Sequence, residues 1–241
     1  MKRLLFDVYQ WLIVIPLLVP VTALTAIVTI ILSPIVPNSE LAYWPARMWA
    51  RIICKLLFIK VEVRGLEHIQ KGQSYVFVCN HQSLFDVFVI YGWLPVIFKW
   101  VMKAELRHIP LVGKACDSAG HIFINRANPK AAQRSIVEAE QKLRNGVSVV
   151  LFPEGTRTYT GTVGNFKRGA FVLATDLSLP IVPMTLNGAF ERLRRNSVRV
   201  NPGRIELVVH PAVMVRENTE DGQKELAKEC REIIVAAAHP L

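Results

Sequence analysis

Between Asp7 and Glu40 the chain carries no charged residue. Within that run Trp11 to Leu32, WLIVIPLLVPVTALTAIVTIIL, is 22 residues long. A helix rising about 1.5 Å per residue would carry that stretch across the ~30 Å hydrocarbon core of a bilayer. A signal peptide has a shorter apolar region and a small-residue cleavage site, whereas Ser33-Pro34-Ile35-Val36-Pro37 follows here, so a retained membrane anchor is expected. Pro16 and Pro20 lie one turn apart and predict a kink, which leaves a re-entrant hairpin open beside a single span.

The stretch from Leu41 to Lys60 places Arg47, Arg51 and Lys55 on one stripe, with Trp44, Met48, Trp49, Ile52, Ile53 and Leu56 on the remaining faces. This is a basic amphipathic helix, and two partners fit it: an anionic headgroup layer, or the rest of the protein with the charges in solvent. In either case residues 1–60 are expected to form a membrane-associating appendage, and 61–241 the main domain.

The full 241 residues suffice for one α/β domain and an appendage. With 51% hydrophobic residues, disorder, collagen and coiled coil are excluded. Against that apolar background, 29 Lys+Arg face 19 Asp+Glu, a formal charge of +10 that calls for an anionic partner. No nucleic-acid-binding motif or interleaved basic and aromatic stretch is present, so lipid phosphate or a phosphorylated substrate is expected and nucleic acid is not. The 4 cysteines, Cys54, Cys79, Cys116 and Cys230, form no C-x-x-C pair and have no histidine pair to complete a metal site; they read as reduced thiols.

From Val61 onward, short apolar runs alternate with turn residues and helical segments. The strand candidates are Val61–Arg64, Tyr75–Cys79, Val96–Trp100, His121–Ile124, Val147–Phe152, Ile181–Met184 and Ile205–Val209. Several are apolar throughout, as strands buried on both faces are. Helical spacing predicts helices over Pro129–Asn145 and Asp221–Ala238. The expected fold is an α/β domain with a mixed, mostly parallel sheet flanked by helices, preceded by the N-terminal membrane-associating helical segment.

In such sheets ligands gather just past the carboxyl ends of strands. Past the second candidate comes Asn80-His81-Gln82-Ser83-Leu84-Phe85-Asp86. A histidine in the turn can act as general base, and a carboxylate in the first turn of the next helix can hold its other ring nitrogen. The plainer alternative is a turn histidine beside a helix-capping aspartate. Ser83 lacks a G-x-S-x-G elbow and Cys79 lies inside the strand, so the base would activate a substrate hydroxyl or water. Past the fifth candidate comes Pro153-Glu154-Gly155-Thr156-Arg157, where a glycine permits close approach and an arginine can grip phosphate with two parallel donors. Asn125-Arg126 follows the fourth. A further basic group, Arg192, Arg194, Arg195, Arg199 and Arg204, reads either as a solvated loop or as a surface for anionic headgroups or the phosphates of coenzyme A.

Asn80–Asp86, Phe123–Arg126, Phe152–Arg157 and Ile181–Met184 resemble, in order, the H-x-x-x-x-D, second, E-G-T-R and proline-containing blocks of the glycerolipid acyltransferases. The resemblance covers roughly residues 60–210. It implies transfer of an acyl chain from acyl-CoA or acyl carrier protein to the sn-2 hydroxyl of 1-acylglycerol 3-phosphate, forming phosphatidic acid, with no metal and no cofactor beyond the acyl donor. The roles implied are general base for His81, its partner for Asp86, and glycerol-phosphate binding for Lys103, Asn125, Arg126, Glu154, Gly155, Thr156 and Arg157. Backbone N–H groups near the histidine turn are the expected oxyanion donors. A bacterial inner-membrane location with the catalytic domain on the cytoplasmic side is also implied. Other lysophospholipids or hydroxylated lipids remain open as acceptors, as does water in a membrane-anchored hydrolase.

Overall fold

The structure is a computed structural model. It describes residues 2–125, 143, 146–215 and 217–241. Arg126 and, apart from buried Leu143, most of the helix expected over Pro129–Asn145 lie outside the described residues.

All seven strand candidates form: β1 Ile59–Arg64, β2 Val76–Cys79, β3 Phe98–Lys103, β4 Ile122–Ile124, β5 Ser148–Leu151, β6 Ile181–Asn187 and β7 Gly203–Val209. They make one 7-stranded sheet in the order β1-β7-β6-β2-β5-β3-β4. β2 to β6 run parallel to one another, β7 pairs antiparallel with β6, and β1 pairs parallel with β7. The sheet is mixed and mostly parallel, as expected.

Strand side chains alternate between two apolar layers. Phe77 and Cys79 face one layer with Val150, Val182, Met184, Ile205 and Leu207. Val76 and Val78 face the other with Val149, Leu151 and Ile181. Both faces being covered explains why β2, β5 and β6 are buried at every position and read as unbroken apolar runs. The first layer is closed by α3 (Glu40–Leu56) and α4 (Phe85–Trp93), the second by α6 (Gly169–Leu177) and α8 (Glu220–Ala237). Between them in sequence are α5 (Val112–Ser118) and the short α7 (Ala189–Arg192). Ser39 and Thr219 cap α3 and α8, each accepting a backbone N–H in the first turn, where acidic residues also meet the helix dipole.

Ahead of α3 lie α1 (Lys2–Tyr9), a π-helical turn (Gln10–Val14) and α2 (Ile15–Ile35). Pro16 and Pro20 break neither segment: the helix runs on from Arg3 to Ile35, with the widened turn just before Pro16. Among the described residues this is the helix long and apolar enough to cross a membrane. Only 17% of its most apolar window is buried, unlike a core helix. Leu12, Val19, Leu24, Ile31 and Ile35 are exposed on it.

Helix α3 is built into the domain. Ala50, Ile53 and Cys54 join the core with Phe85, Val89 and Phe98. Arg51 Nε donates to the Gly92 carbonyl at 2.7 Å, and Arg47 pairs with Glu40 at 2.8 Å. Of its two alternatives the helix takes protein as the partner for its apolar face, so the packed unit begins before residue 60. An amphipathic pattern encodes an apolar partner without saying which.

Candidate active site

At the end of β2, Asn80 leaves the sheet by extending it: its side-chain amide donates to the Leu186 carbonyl at 2.9 Å and its Oδ1 accepts the Leu186 N–H at 2.7 Å. That fixes where the turn begins. His81 Nδ1 then lies 2.7 Å from Asp86 Oδ2, and the same oxygen accepts the backbone N–H groups of Gln82 at 2.7 Å and Ser83 at 2.8 Å. An ionised carboxylate can only accept, so Nδ1 carries the hydrogen, and in the neutral imidazole Nε2, across the ring, offers the lone pair. Asp86 is fully buried, whereas the His81 side chain keeps 17% exposure. Phe152 stacks on the imidazole with centroids 3.9 Å apart and planes within 7°, so ring tilt as well as tautomer is set.

The loop after β5 is laced to this turn through both backbone groups of His81. Glu154 Oε1 accepts the His81 N–H at 2.8 Å, and the Thr158 N–H donates to the His81 carbonyl at 2.8 Å. Glu154 Oε2 takes a second backbone donor, Gly164 N–H, at 2.8 Å. A Cβ on Gly164 would stand 2.8 Å from that oxygen, so a larger residue there would push the Glu154 carboxylate aside. Burial raises the Glu154 pKa above the usual carboxylate value, with the two N–H donors pulling against it. Both carboxylate oxygens therefore hold backbone, and Glu154 serves as a brace beneath the base. Gly155 takes φ 74°, a left-handed conformation that favours glycine, as the chain turns toward Thr156 and Arg157.

His81, Gly155, Thr156, Arg157 and Lys103 line one cavity of about 800 Å³. Of the remaining expected ligands, Asn125 is exposed beyond β4, with β5 and β3 lying between β4 and β2, and is absent from the cavity lining. The expected oxyanion donors need correction. The amides of His81, Gln82 and Ser83 are already bound to Glu154 and Asp86, so these three do not face a reacting carbonyl.

The cavity runs inward along Phe152, Trp100, Tyr91 and Tyr43 to α2, whose Thr22, Thr25, Ala26, Thr29 and Ser33 form its outer wall. Sequence reasoning treated α2 as an anchor and missed this second face. The signal was present as hydroxyl or small residues three and four apart within an otherwise aliphatic run. Phe152 was read as part of a strand, with no local sign that its ring would meet His81.

The basic group near the end of the chain divides. Arg199 pairs with Asp7, and Gln10 Nε2 donates to the Val198 carbonyl at 2.6 Å, so this segment clasps the N-terminal helix. Arg204 pairs with Glu62 at 3.2 Å, and Arg192 donates to the Pro202 carbonyl at 3.0 Å. Arg192 is thus tied back to the chain, while Arg199 and Arg204 pair with carboxylates yet keep 56% and 47% exposure, as on a solvated surface.

Residues 60–187 match the family model described as Acyltransferase. A coconut 1-acyl-sn-glycerol-3-phosphate acyltransferase is 34% identical over 187 residues, 77% of this chain and 59% of the relative. The alpha form from mouse is 38% identical over 175 residues, 72% of this chain and 61% of the relative. This chain thus spans about three-fifths of these relatives, and 47% of a chloroplastic one from Arabidopsis thaliana. Among solved structures, the crystal structure of the 1-acyl-sn-glycerophosphate acyltransferase PlsC from Thermotoga maritima superposes with a TM-score of 0.78 at 26% identity, covering 98% of this chain and 94% of that one. With its fold, its H-x-x-x-x-D turn and its E-G-T-R loop in that family's order, the chain belongs to the acyltransferase family.

Proposed function

We propose that the protein transfers an acyl chain from an acyl thioester, acyl-CoA or acyl carrier protein, to the sn-2 hydroxyl of 1-acylglycerol 3-phosphate, producing phosphatidic acid. The observation that carries this reading is a histidine whose Nδ1 is held by buried Asp86 at the mouth of a largely apolar cavity, beside Lys103 and Arg157. The coconut and mouse relatives bear the name of that activity.

In this reading His81 Nε2 takes the proton of the sn-2 hydroxyl as its oxygen attacks the thioester carbonyl. The tetrahedral intermediate collapses, the C–S bond breaks, and the imidazolium returns its proton to the departing thiolate. Asp86 stabilises the imidazolium during that interval. The apolar cavity holds an acyl chain, and the cations at its mouth hold the acceptor phosphate. Positioning both reactants supplies much of the rate. The scheme requires neither a metal nor a covalent acyl-enzyme. The outward apolar face of α2 keeps the enzyme at the bilayer, and we place the catalytic domain at the cytoplasmic side of a bacterial inner membrane, where both substrates are held.

The test is direct. Purified protein is given 1-acylglycerol 3-phosphate with oleoyl-CoA or oleoyl-acyl carrier protein, and thiol release and lipid product are measured. Phosphatidic acid formation that disappears in His81→Ala is expected. Free fatty acid as the main product would replace this reading with a hydrolase, and product from another lysophospholipid alone would change the acceptor.

A further inference from the structure

Arg194 and Arg195 follow Leu193, whose carbonyl accepts the Ser83 hydroxyl at 2.7 Å. The pair is thereby fixed to the histidine turn, and the two side chains then part. Arg194 is exposed and lies over the Phe190 ring at 5.3 Å. Arg195 turns inward and lines the cavity together with His81 and Arg157. Its Nη1 donates to Thr156 Oγ1 at 2.7 Å and to the Arg157 carbonyl at 2.9 Å, and its guanidinium lies 4.1 Å from the Tyr159 ring centroid.

Both bonds use one nitrogen, so Nε and Nη2 remain for a ligand while the group is held in place. Among the described residues no carboxylate pairs with Lys103, Arg157 or Arg195, although Arg199, Arg204 and Arg168 each have one. Three uncompensated cations therefore line the same cavity as the candidate base. A phosphate monoester, carrying about −1.5 to −2 charges at pH 7, fits that arrangement. A guanidinium binds it with parallel donors.

We infer that Arg195 is the second arm of the acceptor-phosphate clamp, closing on the monoester opposite Arg157, and that it selects phosphate-bearing acceptors. This rests on the acyl-transfer reading above. Phosphate could also arrive on the coenzyme A of the donor. The acceptor is favoured by connectivity: its phosphorus is a few bonds from the attacking oxygen, whereas a pantetheine arm separates the donor's phosphates from the thioester. Arg195 is bonded to Arg157, the neighbour of Thr158, which itself bonds the His81 carbonyl, and it shares the cavity lined by the candidate base.

The experiment compares full-length Arg195→Gln and Arg195→Lys with the unaltered protein in nanodiscs. One arm measures binding of glycerol 3-phosphate and of coenzyme A by calorimetry. The other measures kcat and KM for 1-acylglycerol 3-phosphate and for phosphate-free 1-acylglycerol. In Arg195→Gln the glycerol 3-phosphate affinity is expected to fall, and KM for the phosphorylated acceptor to rise, by about 10- to 100-fold. Coenzyme A affinity should stay within about two-fold, the preference for the phosphorylated acceptor should shrink by the same factor as its affinity, and Arg195→Lys should recover part of the loss. Equal losses for both acceptors would reduce Arg195 to a brace of the loop. A loss confined to coenzyme A would assign it to the donor, and no glycerol 3-phosphate binding by the unaltered protein would overturn the clamp. Should that protein bind glycerol 3-phosphate yet acylate neither acceptor, the activity reading fails while the anion site stands or falls on the calorimetry.

Discussion

The histidine turn and the outer face of α2 differ in how far the protein completes them: among the described residues the turn binds its backbone groups within the chain and leaves only Asp86 Oδ1 buried without a partner, whereas the helix face is largely uncovered. In the turn, the His81, Gln82 and Ser83 amides, the His81 carbonyl and the Asn80 side chain all have protein partners. On α2, Leu24 is 64% exposed and Ile35 70%. The turn is preorganised by the chain alone, so its chemistry depends on local geometry. The helix presents a surface that only an apolar environment completes. Changes in the turn should alter rate and leave attachment, and changes on the outer helix face should do the reverse.

The largest effect falls on the base. His81→Ala is expected to lower kcat by about 10²- to 10⁴-fold with vesicle binding unchanged. Co-sedimentation and thiol release measured on one preparation test both halves, and retained turnover would remove His81 from its role. Next comes the helix: Leu24→Lys exposes a charge to the hydrocarbon at a cost of about 3 kcal/mol, so partition into vesicles should fall about 100-fold. Flotation reads it, while kcat in detergent micelles is expected to persist. Unchanged flotation would mean that this face does not meet lipid.

Smaller effects sharpen the turn itself. Glu154→Gln replaces one acceptor oxygen with a donor, leaving either the His81 or the Gly164 N–H opposed. A cost of about 1–3 kcal/mol is expected, read as a Tm lower by several degrees together with a fall in kcat. If KM for the acceptor rose instead, with Tm unchanged, Glu154 would be a ligand and no brace. Phe152→Leu removes the ring stacked on His81 while keeping an apolar side chain. A decrease of a few-fold in kcat is expected from the loss of about 1 kcal/mol of aromatic contact, with acceptor KM unchanged.

What was legible in the sequence was what is encoded locally. A strand buried on both faces leaves an apolar run, and the central strands β2 and β5 announced themselves in that way. His81 and Asp86 were legible because a turn and the first turn of a helix bring residues five apart into contact without help from the rest of the chain. Glu154 was visible as a residue but its job was not, since its partners are amides 73 and 10 positions away. Arg194 and Arg195 are identical in composition and adjacent in sequence, yet one stacks outside on Phe190 and the other enters the cavity. Which is which depends on how Leu193 is anchored, a tertiary fact. Helix α3 stayed ambiguous for a similar reason: lipid and protein reward the same periodicity.

Helix α2 also sets how the chain can vary. Its outward positions, Leu24 and Ile31 among them, are more than half exposed, so exchange among Leu, Ile, Val and Phe there should be nearly neutral while any charge is rejected. Its inward positions, Ala26, Thr29 and Ser33, border the cavity, so there side-chain volume is what counts and a larger apolar residue would shrink the space. A saturation library along α2 would then display two tolerance profiles interleaved at the helical period, one filtered by polarity and the other by size.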